Sequence, residues 1–259
     1  LLDYGTKFKD VVPQKGKSAK ACEASLKSSI GDNRTLKKIY TDASRELKKS
    51  VSDFTNGNAV HLQSTPYDPQ NNSIIERMNK EVVEGGRCNI LQSGLNSWFG
   101  LLAARYYAMC TNIENGAWKA RFKEDFSGYL NPFGCKVKYK PPPVIINKLP
   151  KFAPRAFDGI FLGLHLRDGC NWRGEYLIAD LSDFNPDNAG SGVRLIKTKE
   201  IWTPREGFVF PLREAREREA RQRLTLSVRP GDAIEGSADD KDIPTTSNDE
   251  IRPTDEPAP

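Results

Sequence analysis

Apolar residues recur along the first half of the chain in two alternating rhythms. Thr6 to Pro13 alternates loosely and ends at a proline, the pattern of a short strand. From Ser18, a residue suited to capping, Cys22, Leu26 and Ile30 recur every four positions and Gly31 follows, which predicts a capped helix. Leu36 to Thr41 and Ala59 to Leu62 read as short strands, with an amphipathic helical piece from Arg45 to Phe54 between them. Two longer helices are expected over Ile74 to Gln92 and Ser97 to Ile113. Ile75, Met78 and Val82 share one face of the first. Gly85 and Gly86 weaken it by about 1 kcal/mol each relative to Ala, a cost that close packing or a kink would offset. Strand and helix alternating in this way predicts an α/β fold.

Beyond Trp118 the rhythm shortens to strands with turn signals. Cys135 to Tyr139, Val144 to Asn147, Gly159 to Leu164, Glu175 to Ala179 and Val193 to Trp202 are the candidates. Pro141 to Pro143, Asp168 with Gly169, and Asn185 to Gly192 separate them. From Arg213 to Arg221, acids and arginines alternate as on an exposed linker helix. The expected organisation is a helix-and-strand segment over residues 1–116, a small β-rich module over 117–210, a charged linker over 211–230 and a tail over 231–259.

Charge sharpens that division. The whole chain carries a formal +5, yet the tail from Gly231 holds nine acids against Lys241 and Arg252, a net −7, so residues 1–230 carry +12. Such a basic body favours a polyanion through counterion release, although a solvated basic surface with no partner is equally consistent. The tail is rich in Pro, Ser, Thr and acids and poor in apolar side chains, so disorder is expected there. Five scattered cysteines without a CxxC pair predict free, mostly buried thiols in a reducing interior. No apolar run approaches the ~18 residues of a membrane span.

The sharpest chemical signal joins Asp42, just after the Lys38–Thr41 strand, to Glu76 at the start of the following long helix. The stretch before Glu76 reads His61 Leu62 Gln63 Ser64 Thr65 Pro66 Tyr67 Asp68 Pro69 Gln70 Asn71 Asn72. Two carboxylates delivered by a strand end and a helix start can share divalent metal, as two-metal phosphoryl transfer requires. The bland alternative is a strand-ending Asp and a Glu stabilised by its helix dipole, both commonplace. Pro66 and Pro69 bias the loop toward extended and turn states, projecting Tyr67, Gln70, Asn71 and Asn72 as hydrogen-bonding groups. Arg77 and Lys80 add cations in the next turn; their bland role is helical pairing with Glu81 and Glu84.

The wording HxxSxPYxPQxNxxxER resembles the integrases of copia-type retrotransposons, with Asp42 and Glu76 matching the second and third acids of their Asp, Asp, Glu triad. Asn131 Pro132 Phe133 Gly134, Lys151 to Ala156, Gly159 to Gly163 and Glu175 to Asp180 resemble, in order, the segment that follows the catalytic core in that family. The resemblance spans about residues 3–210. It implies an RNase H-like core over residues 1–116, Mg²⁺ or Mn²⁺ held by Asp42 and Glu76 as catalytic residues, and DNA contacted by Tyr67, Gln70, Asn71, Asn72, Arg77 and Lys80. It also implies DNA partners, self-association, nuclear action, and His61 as a structural hydrogen-bonding group.

Departures from the family pattern bear on activity. Ala43 and Ser44 stand where Asn and Gly are usual, and Ser73 stands where Gly is. Asp3 Tyr4 Gly5 Thr6 Lys7 Phe8 resembles the word that opens the family's second strand, so by that alignment the first strand and its acid precede Leu1; Asp10 is a weak substitute. Two of three acids cannot position two metals, which predicts a chain that does not catalyse strand transfer. An integrase-like polynucleotidyl transferase, inactive as this chain, and a non-catalytic nucleic-acid-binding or structural remnant of a transposon polyprotein are the two readings, with a decayed frame as the blandest.

Overall fold

Ser18 opens the first helix as its type suggests: its hydroxyl accepts the Ala21 N–H at 3.2 Å, and α1 (Ala19–Ile30) ends at Gly31 in the left-handed region, φ 80°. The computed structural model describes residues 1–14, 16–31, 36–64, 73–184, 192–204 and 206–227, the last five by backbone alone. Leu1–Glu219 form one compact unit, and the described residues Ala220–Ser227 belong to a second. The acidic tail predicted from Gly231 lies outside the described residues.

After α1 come β1 (Lys38–Thr41), α2 (Arg45–Thr55) and β2 (Val60–Gln63). The two strands pair in parallel, Lys38 beside Val60 through Thr41 beside Gln63, with α2 as the crossover that parallel pairing demands. The expected strand over Thr6–Pro13 is not formed. Leu2 and Lys9 make a single antiparallel bridge instead, around a turn in which the Asp3 carboxylate accepts the Gly5 N–H at 2.9 Å and the Thr6 hydroxyl at 2.8 Å. This local hydrogen bonding competes with an extended strand, as short acidic side chains often do.

The long helices α3 (Ser73–Ser93) and α4 (Gly100–Glu114) pack together. Gly85 and Gly86 fall at this contact: a Cβ on Gly85 would sit 2.4 Å from the Tyr107 ring, and one on Gly86 3.0 Å from Ala104. Close packing is thus the compensation for two helix-weakening residues. A short helix, α5 (Ala117–Phe122), follows.

The second half contains β3 (Lys136–Tyr139), β4 (Phe157–Arg167), β5 (Asn171–Asp180), β6 (Leu195–Thr198) and β7 (Ile201–Trp202), in the antiparallel order β6-β5-β4-β3-β7. The strand expected over Val144–Asn147 is a helical turn, α6 (Pro143–Ile146). Pro143 sits at its first positions, where a missing N–H costs nothing. The single strand expected over Val193–Trp202 is split. Its halves lie on opposite edges of the sheet, although only Lys199 and Glu200 separate them. Flat, five strands would hold their edges about 19 Å apart, and two intervening residues reach only about 10 Å. The sheet therefore curls to bring its edges together, and Thr198 Oγ1 on the β6 edge donates to Lys140 O, just past β3, at 2.8 Å.

The larger of two apolar clusters among the described residues joins the N-terminal segment, α4 and the sheet, and a smaller one, Met78, Val82, Ala104 and Ala108, lies between α3 and α4. Phe8, Met109, Phe133, Val137, Ile160, Phe161, Leu162 and Ile178 are almost wholly enclosed. Aromatic rings link the parts of the larger cluster from Phe8 through Trp118 and Phe126 to Trp172, Tyr176, Phe161 and Tyr106, with centroids 4.7–6.4 Å apart. The guanidinium of Arg121 lies 4.4 Å from the Phe8 ring centre and donates to Ser29 O at 2.6 Å and Gly169 O at 3.2 Å, joining the end of α1 to the β4–β5 turn. The final helix, α7 (Pro211–Ser227), carries the expected alternating charges, with an Arg213–Glu217 pair at 2.8 Å. No described helix is long and apolar enough to cross a membrane.

Candidate functional site

Parallel pairing brings the carboxyl ends of β1 and β2 to one edge, the edge at which open α/β sheets bind ligands. The ladder's last bond runs from Ser64 N–H to Thr41 O at 2.9 Å, and Asp42 is the first residue beyond it. Thr41 Oγ1 lies 2.8 Å from His61 Nε2 on the neighbouring strand, so His61 fills the structural role expected of it. Asp42 is exposed. Its Oδ1 accepts the Ser44 N–H at 3.1 Å, an Asx turn that leads the chain into α2.

Glu76 occupies the first turn of α3, where the helix dipole favours a carboxylate. Met78 and Val82 bury the opposite stripe of that helix, leaving Glu76, Arg77 and Lys80 exposed. Tyr67, Gln70, Asn71 and Asn72, predicted to contact DNA, lie outside the described residues. Among the described residues, no three His, Cys, Asp or Glu side chains are grouped to hold a metal. The donors that the motif supplies are two carboxylates, a set that suits one Mg²⁺ completed by water and substrate oxygens.

Glu81 is not the helical partner of Arg77 that its spacing suggests. Lys9 Nζ grips both of its oxygens, at 2.6 and 2.8 Å. The Lys9 backbone is clamped as well, donating to Asn112 Oδ1 at 2.8 Å and accepting from Asn112 Nδ2 at 2.7 Å. Asp10, expected as a weak substitute for the first acid of the triad, is committed elsewhere. It is 1 % exposed, with Oδ1 taken by Arg105 Nε at 3.2 Å and Oδ2 by Cys170 Sγ at 3.1 Å, so it anchors the fold. Burial, reinforced by that neighbouring carboxylate, pushes the Cys170 thiol up to about 12.

A cleft of about 390 Å³ between α4 and Leu130–Phe133 is lined by Tyr107, Cys110, Glu114 and Asn131; neither Asp42 nor Glu76 borders it. The second half holds a chemically distinct surface that strand patterns did not reveal. Lys136 and Lys138 share Asp158 at 2.8 and 3.5 Å, and Lys140 meets Glu200 at 2.8 Å. Hydrogen bonding from Lys136 holds the Asp158 carboxyl below the usual range. Beyond these pairs, Lys148, Lys151, Arg155, Lys197 and Lys199 stand exposed.

No protein-family model matches the sequence, and neither the curated proteins nor the solved structures give a significant match. What is established is a mixed α/β chain with a parallel strand pair, a curled antiparallel sheet and a basic surface.

Proposed function

We propose that this chain is an integrase-like protein of copia-type retrotransposon descent that binds DNA, with Asp42 and Glu76 as the surviving metal-binding carboxylates of an RNase H-like core. The observation that carries the reading is the strand-to-helix path. Asp42 lies at the carboxyl end of β1, parallel to β2, and the HxxSxPYxPQxNxxxER stretch leads from β2 into α3 with Glu76 in its first turn. Mg²⁺ or Mn²⁺ bound there would serve phosphoryl transfer by neutralising phosphate charge and activating the attacking oxygen. Arg77 and Lys80 would steady the DNA backbone beside it. Nuclear action and self-association belong to the same reading.

The chain's own chemistry stops at binding. Two carboxylates leave a two-metal site short of a ligand, and phosphoryl transfer depends almost entirely on positioning and electrostatics. The Asp42–Ser44 contact also favours a second reading, a non-catalytic nucleic-acid-binding or structural remnant in which Asp42 serves to start α2. Incubating the protein with Mg²⁺ or Mn²⁺ and labelled duplex ends tests both the inactivity and the DNA binding. We expect salt-sensitive DNA binding and no joining above a Glu76→Gln control. Robust joining sinks the claim of inactivity, and absence of binding at low ionic strength sinks the nucleic-acid reading.

A further inference from the structure

Between residues 136 and 155 the chain places six cations and no carboxylate. The loop within this stretch is apolar at its tip and wet. Phe152 is 95 % exposed and Val144 70 %. Lys148 and Lys151, which precede Phe152 in the loop, are exposed, and Arg155 braces the loop by donating to Ile146 O at 3.3 Å. Pro141, Pro142, Pro143, Pro150 and Pro154 stiffen the backbone, so little ordering entropy opposes binding there. At its base a groove of about 280 Å³ is lined by Lys140, Lys197 and Lys199 together with Pro142, Ile146 and the carboxylates of Glu175 and Glu200.

We propose that the loop from Pro141 to Arg155 is a contact for single-stranded nucleic acid, in which Phe152 stacks on an unpaired base while Lys148 and Lys151 meet the flanking phosphates. Alternating cations and an exposed aromatic are the two components of sequence-tolerant single-strand binding. An unpaired base offers its whole face to the ring, whereas a base inside a duplex is already stacked on both sides. A second copy of the chain fits less well, because it would bring two carboxylate-free basic loops together. A bilayer also fits less well, since α6 is a single turn of four residues and presents no continuous apolar face. The inference rests on the nucleic-acid reading above but puts a contact on the second half of the chain and specifies strandedness.

The test is fluorescence anisotropy of the full chain with a labelled oligothymidylate of about 16 nucleotides, alongside the matching duplex with oligodeoxyadenylate. Phe152→Ala should weaken single-strand binding by about 5- to 150-fold, the equivalent of losing one stacked base. It should leave the salt slope unchanged, and Phe152→Trp should retain affinity. Replacing Lys148 and Lys151 together by Ala should lower the slope by about 1.4, at ~0.7 per phosphate. Because the ring is exposed, thermal melting of Phe152→Ala should match the wild type. An unaffected single-strand affinity in Phe152→Ala overturns the inference. So does a preference for duplex, Phe152-dependent binding to phosphatidylserine vesicles in place of the oligonucleotide, or self-association that Phe152→Ala abolishes. If salt-sensitive duplex binding persists while Phe152→Ala is silent, only this inference falls. If neither nucleic acid is bound at low salt, the general reading falls with it.

Discussion

Cys170 Sγ donates to Asp10 Oδ2 at 3.1 Å, although 160 positions separate the two residues. Arg105 Nε holds the other oxygen at 3.2 Å, so one enclosed carboxylate ties the N-terminal segment to α4 and to the β4–β5 turn. Removing it strands a guanidinium whose side chain is only 19 % exposed. Breaking a buried pair from one side costs about 3–5 kcal/mol, and the partial exposure of Arg105 points to the lower end. Asp10→Ala should therefore lose about 3 kcal/mol in urea-induced unfolding. A loss under about 1 kcal/mol, the scale of a surface pair, would show that the contact is not an anchor.

The same enclosure governs thiol chemistry. Burial pushes Cys135 and Cys170 up to about 12 and also raises Cys110, and Cys22 is buried, whereas Cys88 is exposed on α3. Thiolate, not thiol, is the reactive form. A chromogenic disulfide reagent near the ~8.5 of a free thiol should titrate one cysteine rapidly in the native protein and five after unfolding. Cys88→Ser should abolish the rapid phase; a rapid phase that survives would show that another thiol opens to solvent.

Gly86→Ala sets two effects of opposite sign against each other. Alanine is favoured in a helix by about 1 kcal/mol. The new methyl would lie 3.0 Å from the Cα and Cβ of Ala104, on the backbone side of a packed helix, and cannot be accommodated by a rotamer change. Overpacking of this kind costs about 1–3 kcal/mol. Net destabilisation is expected, read as a lower urea midpoint with an unchanged m-value. A stabilised variant would mean that α3 and α4 are not in close contact at this point.

Local signals made much of the fold legible, and long-range ones hid the rest. Ser18 and Gly31 bracket α1, and the apolar spacing of Ile75, Met78 and Val82 fits the face that α3 turns inward, because capping and periodicity act within a few residues. The Thr6–Pro13 strand failed because Asp3 organises a turn that hydrophobic alternation does not register. Val144 to Asn147 has strand composition, yet Pro143 starts a helical turn there. In the candidate site, the setting of Asp42 at a strand end and Glu76 in a first helical turn was readable. The capture of Glu81 by Lys9, 72 positions away, and the enclosure of Asp10 arise from tertiary contacts that leave no local trace.

Acid should unfold the protein through a small group of carboxylates. Asp158 is held below its ordinary range by its hydrogen bond to Lys136, and Glu175 by His165 and then Arg167. Burial pushes the Asp180 carboxyl up, but bonds from Ser182 and Tyr139 outweigh it and hold it low. A carboxyl lower in the folded than in the unfolded state stabilises the fold above the unfolded value of ~4, and that contribution is lost as pH falls through the depressed folded value. The melting temperature should be nearly flat from about pH 7 to pH 5 and fall below ~4. Asp158→Asn should show a shallower fall. An unchanged acid limb in that variant would remove Asp158 from the account.

If α3 faces DNA with its exposed edge, Arg77 and Lys80 meet phosphates and Lys9, engaged by Glu81, does not. Each phosphate neutralised contributes about 0.9 to the slope of log K against log salt for duplex DNA. Arg77→Ala and Lys80→Ala should each lower that slope by about 0.9, whereas Lys9→Ala should leave it unchanged even if stability suffers. Glu76 lies beside Arg77 and repels phosphate when no cation is bound, so Glu76→Gln should tighten binding in chelator. Addition of Mg²⁺ should then strengthen the wild type and leave Glu76→Gln nearly unaffected, because only the wild type keeps the carboxylate that draws the ion. Equal slopes for all three charge variants would place the DNA elsewhere on the basic surface, and an equal Mg²⁺ response in Glu76→Gln would remove that carboxylate from the metal site.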